Sequence, residues 1–222
     1  MTYLLLILAV LLSFGFVLVF KPKKQQGLRL LLAFSGAFLL ALTLFELLPA
    51  VYTQSDTKTI GVFIMLGILL QVFLEFFSKG AEHGHVHIDL NRGFPWLLLI
   101  SLSVHALLEG MPIADNNSII YGIVVHKVPI ALILGIFLIN SNIKLIHSVL
   151  FMLFFALMTP LGTYLAANSE FINRSYLPLT AVVIGVFLHI STVILFESSE
   201  GHKFTLRKLF VIVLGVLIAY FL

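Results

Sequence analysis

No cysteine occurs among the 222 residues. Disulfides, thiolate metal sites and thiol catalysis are therefore excluded. Charge is nearly as scarce: Asp, Glu, Lys and Arg make up 10% of the chain, against about a quarter in an ordinary globular domain. So little charge excludes a disordered protein and a cytoplasmic domain on a single anchor. The net charge of +3 is too thin to mark a nucleic-acid surface.

What is there instead is apolar. Hydrophobic residues make up 60% of the chain, with 21 Phe, and they run along its whole length. A soluble core cannot hide that much, so the solvent for most of it must be lipid. A spanning helix needs about 20 mostly apolar residues. Eight such stretches are legible, at 2–20, 28–48, 59–77, 94–111, 119–140, 145–167, 177–196 and 205–222. Breaks such as Lys21-Pro22-Lys23-Lys24, Met111-Pro112 and Asn140-Ser141-Asn142 separate them. The expected fold is an all-α polytopic membrane protein: one domain over 1–222, a bundle of eight transmembrane helices. Pro129 and Pro160 fall inside the fifth and sixth spans, where neighbours or a cavity must satisfy the freed carbonyls.

Lys and Arg set the orientation. With the N-terminus outside, the inner loops hold ten: Lys21, Lys23, Lys24, Arg29, Lys79, Arg92, Lys144, Lys203, Arg207 and Lys208. The outer loops hold only Lys58 and Arg174, and Lys127 lies within a span. Both termini are expected to be external. The first span lacks a basic start and a small-residue cleavage site, so it reads as a retained helix.

An ionisable group inside a bilayer costs at least about 2.5 kcal/mol and marks function by default. His105 and Glu109 stand at i and i+4 on one face of the fourth span, and Ser101 extends that stripe. The fifth span carries His126. A short connection joins the two spans, so a simple hairpin of antiparallel neighbours puts His105 and His126 at one depth. Glu109 then falls opposite Gly122. Two imidazoles and a carboxylate at one depth suit Zn²⁺, and also Fe²⁺, Mn²⁺ or Cd²⁺, with one coordination position left open. The alternative is a His–Glu hydrogen-bonded pair with no metal.

Further polar groups form a series in depth: Glu46 near the outer end of the second span, then Glu109, then His105 and His126. His189 lies deeper in the seventh span, with Glu75 and Glu197 near the inner surface. Such spacing suits a path better than one reaction centre. Residues 78–93, between the third and fourth spans, form a cytosolic loop in which His83, His85 and His87 alternate with other residues beside Glu82 and Asp89. That composition reads as weak metal binding, against the alternative of a plain solvated loop.

These residues resemble the ZIP (Zrt/Irt-like) metal transporters. His105-Ala106-Leu107-Leu108-Glu109-Gly110 resembles the family's His-x-x-x-Glu-Gly segment, and His126-Lys127-Val128-Pro129 the start of its fifth-span signature. The likeness continues in Ser35-Gly36-Ala37 to Leu47-Leu48-Pro49, in Thr159-Pro160-Leu161-Gly162, and in Gly185-Val186-Phe187-Leu188-His189 with Glu197. It implies uptake of a divalent metal, commonly zinc, into the cytoplasm. The chain departs from the two-metal members of the family. Ala106 stands where Asn is frequent, Lys127 and Ile130 stand where acids or His are frequent, and Glu46 replaces a frequent His. The resemblance therefore implies one metal at His105, Glu109 and His126, with the Lys127 ammonium beside it.

The expected function is a membrane transporter for divalent cations, most of all zinc, in a plasma (inner) membrane. The metal is its transported substrate, with no permanent cofactor. Its partners are the cation and the bilayer, with no nucleic acid, and a homodimer is the oligomer considered. Two other classes compete: an intramembrane zinc-dependent hydrolase using the same His/Glu site, and a proton-responsive membrane protein without metal. Neither a His-Glu-x-x-His nor a Gly-x-Ser-x-Gly motif is present to favour the hydrolase.

Overall fold

The structure, a computed structural model, describes residues 2–22, 25–78, 94–114, 118–197 and 205–222. Among them every regular element is helical: α1 (Thr2–Phe20), α2 (Gln25–Leu42), a π turn (Thr43–Leu47), α3 (Leu48–Tyr52), α4 (Thr57–Ser78), α5 (Trp96–Gly110), a 3₁₀ turn (Met111–Ala114), α6 (Ser118–Ile139), α7 (Leu145–Asn168), α8 (Glu170–Arg174), α9 (Tyr176–Glu197) and α10 (Leu206–Tyr220). The π turn precedes Pro49, which has no N–H and whose ring crowds the carbonyl four residues back, so the wider turn relieves both problems. Asp56 starts α4, its carboxylate accepting from the Thr59 N–H and hydroxyl at 2.8 Å each. Those bonds hold its pKa below the usual carboxylate value.

Among the described residues seven helical runs are long and apolar enough to cross a membrane, and they coincide with the first seven expected spans. The eighth is shorter than expected. Helix α10 has 15 residues, about 22 Å, against a hydrocarbon core of about 30 Å. The Thr205 side chain caps it by accepting from the Lys208 N–H. Lys208, expected in a loop, instead sits buried in the first turn, its Nζ donating to the Leu195 carbonyl at 2.8 Å.

The bundle is apolar outside and keeps its ionisable side chains inside, among buried apolar residues. Leu12, Phe16, Leu69, Phe73, Leu150 and Phe154 all point outward and exposed, whereas His105, Glu109, His126, Lys127 and Thr159 are buried. Water would reverse that distribution; lipid requires it.

Helix pairing follows small residues. A Cβ on Gly162 would overlap the Leu107 carbonyl, and one on Gly110 the Thr159 carbonyl, so α5 and α7 touch backbone to backbone. Gly67 and Gly185 bring α4 and α9 together in the same way. Helix α1 packs on α6 through Phe14 and Val17 against Gly135, and α2 packs on α10, α6 and α9. Helices α5 and α6 do not form the closely packed hairpin expected of them: α5 lies chiefly on α7, and α6 on α1 and α2. Gly122 accordingly faces Leu42 of α2, not Glu109. The close α5–α7 approach draws α5 aside, and long polar side chains bridge what separates it from α6.

Candidate metal centre

Those bridging side chains are His105 and Glu109 from α5, and His126 and Lys127 from α6. All four are at most 3% exposed. One turn of helix aligns His105 with Glu109, and His105 Nε2 lies 3.1 Å from Glu109 Oε2. The His105 and His126 rings meet edge to face with centroids 6.3 Å apart. One ligand atom from each of His105, Glu109 and His126 falls within 4.8 Å of the other two. Ligands at about 2.0–2.2 Å from a central zinc lie at most about 4.4 Å apart, so a small contraction of this triangle would close it on an ion. Among the described residues this is the one cluster of three metal-capable side chains so arranged.

Lys127 enters the same site from α6. Its Nζ lies 2.5 Å from Glu109 Oε1 and 4.6 Å from the centroid of the Phe155 ring of α7. The ammonium is thus held by a carboxylate on one side and an aromatic face on the other. Thr159, also on α7, places its hydroxyl 2.8 Å from the Ala106 carbonyl and 3.1 Å from Glu109 Oε1. One turn on, the Thr163 hydroxyl donates to the Gly110 carbonyl at 2.8 Å. The Thr159-Pro160-Leu161-Gly162 stretch therefore fixes α5 and orients Glu109 from behind.

The other anticipated residues lie apart. Glu75 of α4 and His189 of α9 meet as a second pair, His189 Nε2 to Glu75 Oε2 at 2.7 Å, both partly exposed. Ser101 is buried and donates to the Leu74 carbonyl at 2.6 Å, tying α5 to α4. Glu46 sits exposed on the π turn of the second crossing and does not join either group. His83, His85 and His87 lie outside the described residues, as does the side chain of Glu197.

Two contributors were given no role at the site from sequence, although Thr159 was quoted within its motif. Thr159 carried a signal, being a hydroxyl beside a proline in a span. Phe155 is one of 21 Phe, and nothing in its neighbourhood distinguishes it.

Residues 82–222 match the sequence profile of the ZIP zinc transporters. The chain belongs to the ZIP zinc transporter family. It is also 30% identical over 162 residues to Protein zntD of Dictyostelium discoideum, a match covering 62% of this chain and 24% of that protein. It is 36% identical over 95 residues to Zinc transporter ZIP1 of Danio rerio, covering 38% of this chain and 30% of that one. The matches thus span less than a third of these curated relatives. Members of the ZIP family are transporters and not enzymes, so the hydrolase alternative finds no support here. A multi-pass membrane protein is what the family and the apolar helices support.

Proposed function

We propose that this ZIP-family chain carries divalent cations, zinc foremost, through the bilayer into the cytoplasm. The carrying observation is the buried triangle of His105, Glu109 and His126. Three neutral or anionic ligands on two helices offer a dehydrated cation a site and leave a fourth position through which it arrives and departs. One ion occupies the triangle, and the Lys127 ammonium takes the neighbouring place. Glu75 and His189 form a second station at the inner end of the route, with Glu197 beyond. Eight crossings, external termini, a plasma-membrane location and a cytosolic His-rich loop over 78–93 complete the reading, with a homodimer as the oligomer to test.

The experiment is uptake into liposomes loaded with a fluorescent zinc reporter. We expect His105→Ala and Glu109→Ala to abolish uptake while inserting normally, and each to weaken metal binding by at least about a hundredfold. Wild-type rates in either inserted variant would remove the triangle from the route.

A further inference from the structure

Helix α4 presents Ile60, Ile64, Gly67, Gln71, Leu74 and Ser78 to the interior of the bundle. Five of these are small or apolar. Gln71 is neither, and it is the one glutamine within a span. It is fully buried, and neither Oε1 nor Nε2 has a hydrogen-bond partner among the described residues. Leaving such an amide in a dry interior is unfavourable, and a purely packing role would be filled better by Leu or Met.

Its position can be read from its neighbours. Gly67, one turn before it, abuts Val182 of α9. Leu74, three residues after it, receives the Ser101 hydroxyl of α5. On the helix Gln71 falls between Gly67 and Glu75, both of which meet α9, so it faces α9 on the stripe that carries Glu75, one turn before it. Helices α4 and α5 are successive crossings and run antiparallel. The Leu74–Ser101 contact therefore sets Gln71 level with residue 104, between Ser101 and His105. One turn further along α4, Glu75 holds His189. On the other side, His105 Nδ1 has no hydrogen-bond partner among the described residues.

We infer that Gln71 is a transfer ligand, its amide oxygen coordinating the cation as it passes from His105, Glu109 and His126 toward Glu75 and His189. The inference rests on the transport reading above and adds a residue to it. The chemistry suits a passing place. An amide oxygen is a hard donor that Zn²⁺ and Mn²⁺ accept, and it carries no charge. It therefore stabilises the ion between two stations without trapping it, as a carboxylate there would. It needs no deprotonation before it binds. Its Nε2 is a donor that can hold a water carried along by the cation.

The test uses the full chain in reporter-loaded liposomes, with Zn²⁺ as the probe, beside zinc binding by titration calorimetry in detergent. Gln71→Leu and Gln71→Met remove the donor and keep the volume. We expect maximal uptake to fall about tenfold, with KM and the zinc affinity and stoichiometry of the His105 site unchanged. Thermal stability in detergent should stay level or rise, because an unsatisfied polar group has been removed. A merely structural glutamine would give the opposite pattern, with stability lost and uptake per folded molecule preserved. Gln71→Glu should keep the high-affinity site and pass zinc more slowly than wild type, since it adds a second strong station. Wild-type maximal uptake in both Gln71→Leu and Gln71→Met would overturn the inference while leaving the transport reading intact. Failure of the wild-type chain itself to move Zn²⁺ would overturn both.

Discussion

Lys127 Nζ and Glu109 Oε1 stand 2.5 Å apart across the space between α6 and α5, while Glu109 Oε2 stands 3.1 Å from His105 Nε2. One carboxylate thus serves two masters, a prospective metal site and a tethered ammonium. The pair is buried, with Phe155 over the ammonium, so neither charge is relieved by solvent. Removing one partner of a buried pair costs about 3–5 kcal/mol, because the other is left uncompensated. A divalent ion on His105, Glu109 and His126 would supply Glu109 with a second counter-charge and would repel the ammonium.

The first prediction follows from that arrangement. On the proposed reading the Lys127 ammonium takes the place of a second metal, and the site should then hold one ion. In a background with His83, His85 and His87 replaced, Lys127→Asp combined with Ala106→Asn exchanges the ammonium for two oxygen ligands. Calorimetric stoichiometry should then rise from one toward two. Unchanged stoichiometry and affinity in this double variant and in Lys127→Ala would place the lysine outside the site.

Thr159 offers a finer probe. Its hydroxyl lies 2.8 Å from the Ala106 carbonyl and 3.1 Å from Glu109 Oε1. Thr159→Val keeps the shape and deletes both interactions. Loss of a buried hydrogen bond costs about 1 kcal/mol, which corresponds to roughly fivefold in affinity. Zinc affinity at the triangle should fall by that factor with stoichiometry preserved, and a change below twofold would show that Thr159 only braces the helices.

How much of this was legible in the sequence varies by level, for physical reasons. Span positions came through because apolar run length is set by bilayer thickness, and seven runs fall where the composition puts them. The meeting of His105 and His126 followed from hairpin arithmetic across a short connection. Helix partners did not come through. In lipid both the packed and the outer faces are apolar, so hydrophobic periodicity does not point to a neighbour. The signal lies in small residues, and Gly110 and Gly162 explain why α5 seeks α7 and stands away from α6. Lys208 was misplaced for a similar reason. A lysine near a span end reads as loop, whereas the Thr205 cap starts the helix ahead of it and the Leu195 carbonyl gives its ammonium a partner.

That packing can be tested without touching the site. A methyl group on Gly162 would overlap the Leu107 carbonyl, a backbone atom that cannot swing aside. Gly162→Ala must therefore force α5 and α7 apart. Overpacking costs typically about 1–3 kcal/mol, and a backbone clash belongs at the upper end. We expect a lower melting temperature in detergent, and weaker zinc binding as Thr159 withdraws from Glu109. Gly61, whose added Cβ would meet no atom within 4 Å, provides the control: Gly61→Ala should leave both measurements unchanged.

The last prediction concerns the His-rich segment. His83, His85 and His87 stand between the third and fourth crossings, and the orientation proposed from loop charges puts them in the cytosol. None belongs to the buried triangle, whose ligands come from α5 and α6 alone. Imidazoles in such a tract bind zinc weakly, so they can collect ions leaving the bundle without being obligatory for crossing. Replacing all three by Ala should leave a substantial uptake rate and remove only the weaker class of zinc sites in a titration of the whole chain. The high-affinity component from the triangle should persist with the same midpoint. Complete loss of uptake in the triple variant, at normal insertion and with the high-affinity site intact, would make the segment an obligatory station and require the route to be redrawn through it.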